Sequence, residues 1–276
     1  MLGNVPPHAQ DEGDPLAMMR SLFSAISGLK GHQPMMDVVG NNIANVNTTA
    51  FKAGRVTFQD IISQTLRGAQ APSAAQGGLN PMQVGLGMQT GSLDVINTQG
   101  NLQSTGKPTD LAIQGDGFFQ ITDGTNTFYT RDGNFITDSA GQMIHASTGL
   151  RLTPAVTVPV GATNLNIAQN GQVTWTVGAV VTTGPVITMA NFANPAGLTR
   201  SGSNMYQVSS NSGAAVVNNP GTNGLGTIQA GFLEMSNVDL AAQFTNMIIA
   251  QRGFQANSRV ITASDEILQD LVNIKR

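Results

Sequence analysis

Five aspartates in the middle of the chain, Asp110, Asp116, Asp123, Asp132 and Asp138, are the side chains best suited to chemistry. Paired carboxylates serve general acid–base catalysis, and several converging on one point hold calcium. Most of these five stand beside glycine, where aspartate forms turns, and their spacing does not match an EF-hand loop. His8, His32 and His145 are scattered, without metal-ligand spacing or an adjacent acid. Surface or packing roles suit them better. Gly115 and Gly117 flank Asp116, but a strand pattern follows them, so they form no phosphate loop. The chain has no cysteine, which removes disulfides, thiol nucleophiles and thiolate metal sites together. No catalytic residue, cofactor site or metal site is expected, and the chain reads as a non-enzyme.

Only 11% of the 276 residues are charged, against roughly 25% in an ordinary domain. Neutral polar residues fill the difference. Such a surface suits packing against many neighbours, because neutral polar groups are less costly to bury than charges. A secreted β-rich domain has a similar composition. The net charge of −3 and the lack of a basic cluster give no case for nucleic acid. No stretch is long and apolar enough to insert in a membrane as a helix. Residues 1–17 have neither a basic n-region nor an apolar h-region, so they read as a disordered tail and not a signal peptide. Met18-Met19, directly after it, is an alternative translation start.

These residues need elements to hold them, and the chain divides clearly. Leu22, Leu29, Met36 and Ile43 form a seven-residue stripe, with Ile26 and Val39 beside it. Leu240, Met247, Phe254, Ile261 and Leu268 form a second, flanked by Phe244, Ile248 and Val272. Such a period keeps one narrow seam towards a partner helix. The stripes can close on each other as a hairpin within one chain, or on other copies. Arg252 and Arg259 border the second seam, within reach of carboxylates such as Asp265 or Glu266, or lie on a solvated edge.

The first helix is expected from about Leu16 to Asn45, kinked or split at Pro34. The second is expected from Leu240 to about Ile274, opened by a Ser236–Asp239 capping box. At roughly 1.5 Å per residue it is about 50 Å long and needs a partner. Between them, strand signals recur with turn residues from Leu111 onward. Val173, Trp175 and Val177 alternate with polar residues, as a half-buried strand should. The fold class is α+β: terminal helices forming a coiled-coil-like seam, and a central antiparallel β-domain. The boundaries are 1–17 for the tail and 18–67 for an N-terminal helical assembly segment. They continue with 68–106 as an extended connecting segment, 107–232 as the β-domain, and 233–276 as the C-terminal assembly helix.

Three segments carry a resemblance. They are Leu22–Leu29 continuing to Asn41-Asn42-Ile43-Ala44-Asn45-Val46-Asn47-Thr48-Thr49 and Phe51-Lys52; Gly115–Phe119 with Thr130-Arg131-Asp132-Gly133-Asn134-Phe135; and Leu233-Glu234-Met235-Ser236-Asn237-Val238-Asp239 with the helix after it. In that order they resemble the bacterial flagellar rod and hook protein family, over nearly everything after Ala17. Asn41, Asn42, Asn45, Asn47, Phe51 and Lys52 are the family-motif residues. Gln251–Ile261, with Phe254 where the rod type usually has Tyr, resembles the hook type more, and Arg55–Asp60 leans the same way. Two departures stand out. Ala50 occupies a position where the family commonly has Gly, and the middle is short for a hook protein, closer to a rod protein in size.

The resemblance implies terminal helices lining a tubular core, β-domains outside, and a helical homopolymer. It implies a place in the extracellular flagellum, neighbouring rod, cap and junction proteins as partners, and passage through the flagellar type III export apparatus. The leading expectation is therefore a compact hook subunit that transmits torque. The distal rod subunit is the alternative, and a secreted β-rich adhesin with a helical stalk is the rival from another class.

Overall fold

The computed structural model describes residues 15–72 and 77–274. The expected tail therefore lies outside the described residues as far as residue 14. Two long helices bracket a β-rich middle, as the α+β reading expects: α1 spans Pro15–Ala44 and α2 spans Leu240–Ile274.

Pro34 neither splits nor ends α1. Proline deletes one intrahelical hydrogen bond, and buried positions on either side of it, Gly31 and Val39, keep the helix packed through the defect. The polar run then ends α1. Asn45 turns back on its final turn, with both its backbone N–H and its side-chain amide donating to the Asn41 carbonyl, and side-chain competition of this kind terminates helices. At the start of α2 the expected Ser236–Asp239 box does not form. Asp239 is itself the N-cap, its Oδ1 accepting from the N–H groups of Ala241 and Ala242 at 2.9 and 3.3 Å. Ser236 Oγ instead accepts from Val238 N at 3.3 Å.

The chain forms two compact units. Of the described residues, the first comprises 15–40, 55–72, 77–93 and 244–274, and the second 41–54 and 94–243. In the first unit, α1 and α2 pack antiparallel. Gly28 lies against Asn257 and Gly253 against His32, so closely that a methyl at either glycine would overlap the facing side chain. Ala25, Ala250 and Ser264 are also buried on this interface side. Small side chains allow the close approach, and Ser264 Oγ is satisfied within its own helix, donating to the Val260 carbonyl at 2.8 Å. The same unit holds the antiparallel hairpin of Ser63–Arg67 with Met82–Gly85. Strand Met88–Val95 pairs with Gly54–Asp60.

The second unit is built around strand Phe118–Thr122, which pairs antiparallel with Thr127–Thr130, Arg151–Thr153 and Met189–Asn191. Successive side chains on a strand point to opposite faces, and here both faces are buried. Phe119 and Ile121 join Leu111, Ile113, Phe135, Met143, Leu152, Met189 and Ile228 in the main core. Phe118 points the other way, into a cluster with Tyr129, Phe192 and Tyr206. Its ring meets those of Phe192 and Tyr206 edge-on, with centroids 5.7 Å apart, the arrangement that aromatic quadrupoles favour. A separate three-stranded sheet, Thr163–Ile167, Gln172–Val177 and Val180–Val186, sends Val173 and Trp175 into the main core.

Candidate functional site

The feature that organises the second unit is a buried cluster of charges. Lys52 follows the end of α1, Arg131 follows strand Thr127–Thr130, and Glu234 ends strand Phe232–Glu234. Lys52 Nζ donates to Glu234 Oε1 at 2.5 Å, and Arg131 Nε donates to Glu234 Oε2 at 2.9 Å. Side-chain exposure is 2% for Lys52, 5% for Arg131 and none for Glu234. A buried charge must be paired and hydrogen-bonded, and the remaining donors are answered by backbone. Lys52 Nζ donates to the Thr98 carbonyl at 2.8 Å. The Arg131 guanidinium reaches the carbonyls of Gly115 and Gly117 at 2.7 and 3.2 Å. Glu234 Oε1 also accepts from Gly100 N at 2.9 Å. Burial pushes the Lys52 amine below its ordinary value; Glu234 opposes this, and Arg131 adds to it.

Two asparagines complete the arrangement. Asn42 Oδ1 accepts from Gly54 N at 2.9 Å while its amide donates to the Gly54 carbonyl at 2.8 Å, so one side chain pairs with a backbone residue as a strand neighbour would. The same amide donates to Gln243 Oε1 at 3.2 Å, linking the last turn of α1 to the first turn of α2. Asn237 Oδ1 accepts from Ala53 N at 2.8 Å, and its amide donates to the carbonyls of Ile96 and Thr98 at 2.8 and 3.1 Å. Arg200 donates to the Lys52 carbonyl at 2.7 Å with its guanidinium 5.5 Å from the Phe51 ring centre, a cation–π contact. Asn204 donates to the Thr49 carbonyl at 2.8 Å. Between these anchors Ala50, nearly fully buried, adopts the left-handed conformation at φ +55°.

The structure places Phe51, Lys52, Asn42 and Asn45 in or beside this junction, while Asn41 and Asn47 are exposed. Of the seam residues, Leu22, Leu29, Met36, Ile43, Met247, Ile261 and Leu268 are half-buried. Ile26, Leu240, Phe244 and Phe254 are exposed, as are Ile248 and Val272 beside them. The contact between α1 and α2 uses the small-residue face, Ala25 and Gly28 against Ala250, Gly253 and Asn257, which a search for large apolar side chains passes over. Its signal is Ala25-x-x-Gly28 and Ala250-x-x-Gly253. Arg252 and Arg259 are exposed, and Asp265 accepts from Gln269 at 3.0 Å.

Asp123, Asp132 and Asp138 act as turn formers, Asp132 Oδ1 accepting from Asn134 N at 3.1 Å. Asp123 Oδ1 accepts from the N–H groups of Thr125 and Asn126, bonds that hold its carboxyl below the usual range, Asn126 contributing most. Asp138 Oδ1 accepts from Ala140 and Gln142 at 2.9 and 2.8 Å. Asp132 also pairs with the buried His145, Oδ2 to Nε2 at 3.3 Å, a partnership between residues that appear unrelated in sequence. Among the described residues no three acids or imidazoles converge as a metal site would require. The cluster of Lys52, Arg131 and Glu234 has all its charge turned inwards and none offered to a substrate. Its physical role is to lock chain segments together.

Residues 22–52 match the family described as flagella basal body rod protein. Residues 112–175 match the flagellar hook protein FlgE/F/G D1 domain, and residues 229–274 the flagellar basal body rod FlgEFG protein C-terminal region. Each matched segment contributes one member of the junction: Lys52, Arg131 and Glu234 in turn. The chain is similar to the flagellar basal-body rod protein FlgG of Bacillus subtilis (strain 168), with 49% identity over 264 residues, covering 94% of this chain and 100% of that protein. It is 40% identical over 261 residues to FlgG of Buchnera aphidicola subsp. Acyrthosiphon pisum (strain APS), covering 92% and 99%. The flagellar hook protein FlgE of Borreliella burgdorferi (strain ATCC 35210 / DSM 4680 / CIP 102532 / B31) is 32% identical over 441 aligned positions, covering 94% and 100%.

Proposed function

The chain belongs to the flagellar basal-body rod and hook protein family and is part of the bacterial flagellum, and from that premise we propose that it is a structural subunit of the rod. The observation that carries this reading is the full-length match, at 49% identity, to a rod protein of nearly the same size. The hook relative spreads its match over 441 positions, so it holds additional chain that this protein lacks. That outweighs the hook-like Phe254, and the rod reading replaces the hook as the leading one.

In this role the subunit polymerises with copies of itself into a helical tube. The exposed apolar residues of the two helices, among them Phe23, Ile26, Phe244, Ile248 and Phe254, supply surface for neighbouring helices. The buried junction supports the role mechanically. It ties the segment after α1 and the segment before α2 to Arg131 through charge-assisted bonds shielded from water, which are stronger than neutral ones. Rod, cap and junction proteins are its neighbours in the flagellum, and the flagellar type III apparatus exports it.

Electron microscopy of basal bodies from a strain lacking the gene tests the reading. A truncated rod with no hook attached is expected, restored by the intact gene. A complete rod that lacks only the hook would return the chain to the hook role.

A further inference from the structure

From Leu152 to Leu233 the chain carries one charged residue, Arg200, and no histidine, where a stretch of that length ordinarily holds roughly 20 charges. Two of the sheet edges within it expose paired valines. Val180–Val186 pairs on one side only, with Gln172–Val177. Val216–Asn218 pairs on one side only, with Met189–Asn191. Each edge presents two adjacent valines to solvent: Val180 and Val181 are 67% and 70% exposed, Val216 and Val217 55% and 44%.

Open strand edges are templates for further pairing, and proteins that must stay apart guard them with charges, prolines or bulges. Three other edges of this unit are guarded in these ways. Asp138 follows Phe135–Thr137, Arg200 lies within Thr199–Gly202, and an irregularity between Thr163 and Asn166 breaks Thr163–Ile167. The first open edge is guarded only at its far end. There Gly184 lies against the Trp175 ring and Pro185 has no N–H to donate, which leaves Val180–Thr183 available.

Building on the rod reading, we propose that the Val180–Thr183 edge of one copy pairs with the Val216–Asn218 edge of a second copy of this chain. Main-chain hydrogen bonds supply the attraction and the exposed valines the apolar contact. Neutrality selects the partner. Two uncharged edges bring no repulsion when identical chains crowd together, and they give a charged foreign surface nothing to pair with. Joining two different edges, the contact is head-to-tail, and a head-to-tail contact repeats along an open polymer.

The absence of native cysteine makes the test specific. Full-length Val181→Cys and Val217→Cys chains are prepared separately, mixed under assembly conditions, and oxidised with copper–phenanthroline, which takes up the electrons as two thiols become a disulfide. Fluorescence of Trp175, the only tryptophan, verifies the fold of each variant. A covalent dimer abundant in the mixture and scarce in either variant alone is the expected result. Its absence from the mixture overturns the pairing. If the wild-type chain forms tubes and no mixed disulfide appears, the pairing fails and the rod reading stands. A mixed disulfide without tubes keeps the pairing and removes the rod reading, and absence of both removes both.

Discussion

Lys52 and Glu234, 182 positions apart in the chain, form an ion pair from which water is excluded on both sides. Glu234 is the pivot, because Arg131 bonds its second carboxylate oxygen. Glu234→Gln leaves two buried cations without a counter-charge and is expected to destabilise the protein by about 3–5 kcal/mol, the range for breaking a buried pair from one side. Lys52→Met leaves Glu234 still held by Arg131 and Gly100 N, so its effect is smaller. Urea unfolding of the two variants gives the order directly, and equal losses would contradict the pivot role.

Ala50 holds φ +55°, a backbone conformation in which a Cβ is strained by about 1–2 kcal/mol. Glycine removes that strain and gives back part of it through the greater freedom of the unfolded chain. Ala50→Gly is therefore expected to stabilise by up to about 1 kcal/mol, seen as a raised Tm. A lowered Tm would mean the strain is absent.

Gly133 passes so close to the Leu111 carbonyl that a methyl there would overlap backbone, which cannot swing aside. Overpacking of this kind destabilises by about 1–3 kcal/mol. Gly133→Ala should lower the urea midpoint accordingly, whereas Gly68→Ala, with open space around it, should leave the midpoint near wild type.

Burial pushes the phenols of both tyrosines, Tyr129 and Tyr206, above their ordinary value, so they ionise later. Their stability contribution is fully present below the unfolded value of 10.0 and is lost as pH climbs above it, because the unfolded chain releases those protons first. The ultraviolet rise of tyrosinate should therefore coincide with loss of the β circular dichroism signal. Ionisation well before unfolding would contradict it.

Phe244→Asp and Phe254→Asp alter side chains that are exposed in the single chain. On the proposed assembly, each should leave the fold intact and abolish polymerisation, since either would put a charge into a contact between copies that excludes water. Ala250→Asp, by contrast, should damage the pairing of α1 with α2, because Ala250 is fully buried there. Sedimentation and circular dichroism together distinguish the two outcomes.

Both helices were legible because their periodicity and end signals are local. Asn45 and Asp239 act on neighbours a few positions away, although the cap proved to be Asp239 by itself. The motif residues Phe51 and Lys52 could be picked out, but their partners could not. Arg131 and Glu234 come from distant parts of the chain, and only folding makes one charge answer another across 182 positions. The helix contact was hidden for a different reason. Gly28, Ala250 and Gly253 bury closely because they are small, whereas a hydrophobic pattern is read from large side chains.

The bond between Asn42 and Gln243 clasps the last turn of α1 to the first turn of α2, so everything between these two residues is a loop whose ends are pinned together. Closing a loop becomes only slightly harder as it lengthens, by about 0.6 kcal/mol for each doubling. Evolution can therefore enlarge what lies between the two pinned residues while the clasp itself stays unchanged. A hook relative aligned over 441 positions, still covering 94% of this chain, has the form of such an enlargement.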